Sequence, residues 1–277
     1  MSDVVKEMMV ESAKEASKEL AKQVPINDLL QPFAKGIGNT FGTLAECVDA
    51  LTIPLKRFSL RKKYDWEAEK YVMEQQFEKF KQLYNKEDLK LELPEPYVAV
   101  PAIEAMSYTI DNDEIRELFA NLLISSMIAE TKPFVHPAFS EIIKQLTPDE
   151  AKILKMIPIK QDFRPGEPIV DICYKKDNQE GNFTFFSNLG VIGFESECEY
   201  PKNISTYINN LCRLGVIEIP SYGLADTWRY KKITDSEFFA EVVSQLENYS
   251  IRNKMFRLTD LGVAFCNICL PFRSELN

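Results

Sequence analysis

The sequence predicts a mainly α protein with a smaller α+β part, and three observations carry that prediction. From residue 62 to 157 apolar residues recur at spacings of three and four, behind recognisable capping residues. Past residue 158 the texture shifts to short β-branched and aromatic runs. Toward the C-terminus the expected order is helix, helix, strand, turn, strand, which is the order of a winged helix. The chain therefore reads as N-terminal amphipathic helices over 1–57, a central helical domain or bundle over 58–157, and a winged-helix-like α+β module over 158–277.

In the first segment, Glu11/Lys14, Glu15/Lys18 and Glu19/Lys22 are i,i+3 pairs that support an exposed helix. Val5, Met9, Ser12, Ala16 and Leu20 give it a thin stripe of mostly small residues. Such a stripe suits a partner helix or an assembly seam better than a core. After Pro25, Gly36, Gly38 and Gly42 form G-x-G-x-x-x-G, but no strand precedes them and no Lys-Ser/Thr follows, so a phosphate loop is not expected. Ile37, Phe41, Leu44, Cys47, Val48 and Leu51 instead make an apolar helical face. The basic run "PLKRFSLRKK" (54–63) reads as a solvated linker.

The central part opens with a helix over 62–84 whose expected inner face is Tyr71, Val72, Phe77, Phe80 and Tyr84. Three prolines in "LELPEPYVAVP" are expected to break it. "AIEAMSYT" resumes a helix, and the next starts at Asp111, with Glu114 completing a capping box, and sets Ile115, Leu118, Phe119, Leu122, Leu123 and Met127 on one face. The only histidine, His136, sits in "FVHPAF" between Pro133 and Pro137, so extended backbone is expected there. A general base would need a nucleophile and an orienting acid converging on it; Ser140 and Glu141 lie nearby in sequence, but nothing in the spacing requires that arrangement. His136 and Pro137 are therefore read as structural, as are Thr147 and Glu150 of "TPDE", which cap the next helix with Pro148 at its first position.

In the C-terminal part, "IVDICY" and "NFTFFSNLGVIG" read as strands. Ile204, Ile208, Leu211 and Leu214 line a helix that ends at Gly215, and Val216–Ile219 starts a strand. "YGLADTWRYKKITD" and "NKMFRLTD" are expected to add strand segments, with helices near 235–248 and 259–270. The exposed side of the 204–214 helix would present Lys202, Ser205, Thr206, Asn209, Asn210 and Arg213. Of these, Lys202, Thr206, Asn209, Asn210 and Arg213 are the candidate interaction residues. Asparagine and arginine can read bases, yet "ESECEY" immediately upstream is acidic and the whole chain carries −9, so nucleic acid is not the expected partner.

The totals narrow the classes further. Apolar residues at 45% and charged residues at 27% are those of an ordinary globular protein. The N-terminus is charged throughout and no apolar run approaches the ~18 residues of a membrane span. A cytoplasmic protein is expected, with peripheral contact at the inner membrane as an extension of that reading. The six cysteines include one C-x-x-C, Cys266 and Cys269, one turn apart on an apolar helix. They are read as core residues, so neither a metal site nor any other cofactor is expected.

The stretch 98–157 resembles the Abi-alpha family, through its "ELFANLL" run, its "VHPAF" turn and its "QLTPDEAKIL" helix. "LLQPFAKGIGNTFGTLAECVDALTIPL" resembles the leader of those proteins, so the resemblance spans about 26–157 and reaches the C-terminal part more loosely. It implies a role in abortive infection, a bacterial defence against phage, and makes His136 and Pro137 family hallmarks. It brings no catalytic residues. The expected function is thus a non-enzymatic defence protein acting by protein–protein association. The partners expected are a second copy of itself, a phage or host protein, and a membrane surface for residues 1–57. The alternative is a winged-helix transcriptional regulator that binds DNA. No H-N-H, D-x-D, G-x-S-x-G or E-x-K pattern stands in a context that favours a hydrolase or nuclease.

Overall fold

A computed structural model gives the fold and describes residues 66–84, 89–106, 109, 112–159, 166–174, 183–244 and 246–271. The amphipathic helices expected over 1–57 and the basic run 54–63 lie outside the described residues. What is described is mainly helical with a small antiparallel sheet, as the sequence leads one to expect.

Helix α1 (Trp66–Tyr84) buries Met73, Phe77 and Phe80, a stripe spaced by four and three, and Tyr84 stacks on Phe80 with ring centroids 6.3 Å apart. Tyr71, expected on the inner face, is 62% exposed. It precedes Met73 by two residues, which turns it about 200° away from that stripe. Helix α2 (Pro96–Met106) runs straight through Pro101, where the sequence predicts a break. The ring removes one hydrogen bond in the middle of the helix, and burial of Val98, Ala99, Ala102, Ile103 and Met106 offsets the loss.

Helix α3 (Asp113–Met127) is the centre of the molecule, with every residue from Leu118 to Met127 buried. Its cap is Asn112, whose side chain accepts from Ile115 N at 3.0 Å, not Asp111 as expected. The acids that follow, Asp113 and Glu114, then sit in the first turn, where the helix dipole favours them. A 3-10 turn (Lys132–Phe134) absorbs Pro133 and leads to α4 (Ala138–Ile143) and α5 (Pro148–Met156).

Strands β1 (Glu167–Tyr174) and β2 (Phe183–Leu189), helices α6 (Ile192–Glu195) and α7 (Ile204–Arg213), and strand β3 (Ile217–Glu218) follow. The segment expected as a strand from Tyr222 onward is instead a 3-10 turn (Thr227–Tyr230) running into α8 (Lys231–Thr234). Its tyrosine and tryptophan mimic strand composition. Tyr230, however, turns inward to accept from Leu224 N and donate to the Lys254 carbonyl. Helix α9 (Glu237–Val243), strand β4 (Ser250–Leu258) and helix α10 (Asp260–Cys269) complete the chain.

The sheet order is β2-β1-β4-β3, antiparallel throughout. One continuous hydrophobic core runs from α1 through α3 to β1, α7 and α10, across the expected boundary at 157/158. Two polar residues of α3 seal the far end: Asn121 Nδ2 donates to Cys269 O at 2.9 Å and Ser125 Oγ to Ile268 O at 3.1 Å. They satisfy carbonyls that the end of α10 would otherwise leave orphaned in the core. Cys266 and Cys269 are fully buried there. Burial pushes the Cys269 thiol well above its ordinary value.

Candidate functional site

The residues proposed for interaction gather on the polar side of α7, and most of them are bonded within the molecule. Asn210 Nδ2 donates to Glu150 Oε1 at 2.8 Å and to Gln145 O at 3.0 Å. Arg213 donates to Asn210 Oδ1 and to Gln145 Oε1. Asn209 Oδ1 accepts from Asn188 Nδ2 at 3.1 Å, and Ser205 meets Ser187 of β2 at 3.2 Å. Lys202 pairs with Glu241 of α9 at 2.6 Å, and Thr206 is exposed. The face stays exposed at Lys202, Thr206, Asn209 and Arg213, while these bonds tie α7 to the α4–α5 turn and to β2. Glu150 has two tasks there: one oxygen closes the capping box with Thr147, the other holds Asn210.

Beside this seam lies a buried carboxylate. Asp149, 4% exposed, accepts from Glu199 N at 2.8 Å, Tyr200 N at 2.9 Å and the Tyr207 hydroxyl at 2.8 Å. Burial, the largest single influence, would raise its pKa. The N–H groups of Tyr200 and Glu199 and the Tyr207 hydroxyl outweigh it and hold the carboxyl below its ordinary value. Burial and then the Asp149 carboxylate push the Tyr207 hydroxyl up. With three donors directed at it, Asp149 works as an electrostatic staple between α5, the 196–200 loop and α7.

A second buried carboxylate, Asp171 of β1, accepts from Asn188 N at 2.9 Å and from Lys254 Nζ at 3.0 Å. Lys254 also donates to Asn188 Oδ1. Asn188 has φ 55 where the β1–β2 register shifts. Asparagine tolerates that left-handed backbone better than most residues, and the Asp171–Lys254 pair pins it.

His136 is exposed, and its Nδ1 accepts from Ala138 N at 3.1 Å, which satisfies one orphan donor at the start of α4. Its ring leans on Phe139 at 6.0 Å, and Phe139 meets Phe265 edge-on at 5.6 Å. Because that bond faces solvent, His136→Ala is expected to cost only about 0.5–1 kcal/mol. His136→Gln should behave alike, measured by urea unfolding. A loss above about 2 kcal/mol would mean that the turn is held by more than this bond.

The surface also carries a hollow of about 370 Å³ between α6, α8 and α9. Its floor is Val191 and Phe238, both nearly buried, with Phe194 as a wall at 42% exposure. Glu195, Lys232 and Glu237 stand at its mouth. Lys232 is bridged to Glu195 at 3.1 Å and to Glu167 at 3.5 Å.

Sequence reasoning missed Asp149, Tyr207, Asp171, Asn188 and this hollow. Tyr207 was recoverable, since it stands at i+3 from Ile204 on the apolar stripe. Asp149 looked like an ordinary first-turn acid, and nothing local marks its long-range donors at 199, 200 and 207.

Among the described residues, no helix is long and apolar enough to cross a membrane. A family model described as abortive infection alpha matches residues 67–269, taking in the C-terminal part as well as the central helices. No curated protein matches the chain. Among solved structures, the uncharacterized protein from the hydrocarbon-degrading marine bacterium Alcanivorax borkumensis SK2 is similar at 18% identity. That match covers 50% of this chain and 96% of that one, with a TM-score of 0.31.

Proposed function

The chain belongs to the abortive infection alpha family, and from that premise we propose that it serves bacterial defence against phage as a non-enzymatic protein acting by association. The observation that carries this reading is the extent of the family match, which takes in the helical core and the sheet alike. In this reading the described body is a scaffold and sensor, and residues 1–57 supply self-assembly, with contact at the inner membrane on activation. The body's two parts are joined by the Asp149 staple and the Asn210–Glu150 bond, which suits a unit that transmits an event across its length.

The strand pairing beside α7, with β4 between β1 and β3, supports calling residues 158–277 winged-helix-like. A DNA-reading module would present the polar side of α7 to a groove. Here Asn209, Asn210 and Arg213 are already engaged with Asn188, Glu150 and Gln145 of the same chain, which favours protein association over base reading.

The test is expression in cells challenged with phage at low and high multiplicity. At low multiplicity the culture should survive. At high multiplicity growth should stop before lysis, with fewer phage released per cell. Unchanged plating and unchanged burst across a broad phage panel would refute the defence reading.

A further inference from the structure

The two edges of the sheet are built differently. At one edge β3 is two residues long, and its Glu218 is paired with Arg257 of β4 at 2.7 Å. A short, charged edge resists a further strand. At the other edge β2 runs for seven residues, and no charge or proline stands between Glu180 and Glu195. Among the described residues it pairs with β1 alone. Helix α7 covers its second half, where Ser205 meets Ser187 and Asn209 meets Asn188. Its first half is open: Phe183 and Phe185 are 39% and 40% exposed, and Thr184 is exposed between them.

An apolar surface reaches inward from that edge. Phe183 lies opposite Tyr174 with ring centroids 5.9 Å apart, and Phe185 meets the same tyrosine edge-on at 6.3 Å. Tyr174 and Ile172 are two apart on β1, so Ile251, opposite Ile172 on β4 and 39% exposed, shares the face of Phe183. An uncharged edge beside exposed apolar side chains is a template for a further strand. In a chain of net charge −9, two copies repel over much of their surface. An uncharged strand meets its own copy without setting like charges opposite each other. We propose that β2 pairs antiparallel with β2 of a second copy, about a two-fold axis at Thr184 or Phe185, joining the two four-stranded sheets into one. The pairing is short, so the dimer should dissociate on dilution. This contact goes beyond the assembly assigned to residues 1–57 and does not rest on it.

The test uses full chains and charge swapping at the edge. One chain carries Phe183→Lys and Phe185→Lys, the other Phe183→Glu and Phe185→Glu. Either position of the axis sets residue 185 against residue 185 or 183 of the other copy, so each chain alone repels itself and the mixture attracts. Sedimentation over a concentration series should show self-association at least tenfold weaker for each variant than for wild type, and a gain when the two are mixed. Hydrogen exchange locates the contact: the amides of 183–186 should be protected in concentrated wild-type protein and exposed on dilution. Thr184→Lys and Thr184→Glu, at an exposed position, make the same comparison if the paired substitutions disturb the strand. Equal self-association of wild type and both variants, whether all assemble or none does, overturns the inference. So does a mixture no stronger than either variant alone. Amides of 183–186 that exchange slowly at every dilution in all three chains would mean that the edge is covered from within one chain, which overturns it as well. Every chain keeps residues 1–57, so assembly through them cancels in the comparison, and failure here is distinct from failure of the defence reading.

Discussion

Asp149→Ala is expected to destabilise the protein by about 3–5 kcal/mol, because it strips the acceptor from three donors at once. The N–H groups of Glu199 and Tyr200 and the hydroxyl of Tyr207 all bond this one carboxylate. A buried donor left unpaired costs about 1–3 kcal/mol, and a bond to a charged group is worth more than a neutral one. The midpoint of thermal unfolding should fall by about 10 °C for a domain of this size. Tyr207→Phe, which removes one donor and leaves the carboxylate two, should cost about 1–2 kcal/mol. The double variant should cost less than the sum, since both changes break the same bond. A loss below about 1 kcal/mol for Asp149→Ala would mean that the 196–200 loop finds other acceptors and that the staple does not hold α5 to α7.

The same site fixes a pH dependence. The Asp149 carboxyl lies below its ordinary value in the fold, so its contribution is present above the unfolded value of about 3.9 and is lost as pH falls through the lower folded value. Tyr207 lies above its ordinary value, so its contribution is full below about 10 and fades as pH rises toward the folded value. The stability gap between wild type and Asp149→Asn should therefore narrow once pH drops below about 3.9. A gap that stays constant down to pH 2 would contradict the assignment.

The elements that were legible in the sequence are those whose determinants are local. The Thr147–Glu150 capping box lies within one turn, and the apolar face of α3 follows the helical period, so both could be read without the fold. Local information was ambiguous at Asp111 and Asn112, where two capping residues stand side by side and one residue's shift changes the cap. It was misleading at Tyr222–Tyr230, where aromatic composition suggested a strand but the tyrosine hydroxyl bridges Leu224 N and the Lys254 carbonyl. It was silent where partners are far apart. Nothing near Asn210 announces Glu150, and nothing near Asn121 announces the carbonyl of Cys269. That is why the bonds that tie Asn210 and Arg213 of this helix face to Glu150 and Gln145 could not be read from the sequence.

Gly262→Ala should be as damaging as the loss of Asp149, for a purely steric reason. A Cβ at this position would stand 1.9 Å from Val216 O and 2.9 Å from Val216 C. The obstacle is backbone, so no side-chain rotation relieves it. Val216 cannot move aside either, because its carbonyl accepts from Thr259 N at 3.0 Å and its neighbour Ile217 pairs with Leu258. The helix must shift instead, and α10 is tied at both ends. At its start Thr259 caps Gly262 N at 2.9 Å. At its finish Asn121 and Ser125 hold its last carbonyls, and between them Phe265 packs edge-on against Phe139. Displacing such a helix by more than an ångström strains or breaks several of these contacts together, which puts the cost at about 3 kcal/mol or more. Gly190→Ala is the control: its nearest neighbour is the Ile169 Cγ2 methyl at 3.1 Å, a side-chain atom that can yield, so the loss should stay below about 1 kcal/mol. Thermal unfolding of both variants beside wild type decides the matter. A Gly262→Ala protein that melts within two or three degrees of wild type would show that α10 can slide on the sheet edge, and that its terminal bonds to α3 do not fix its position.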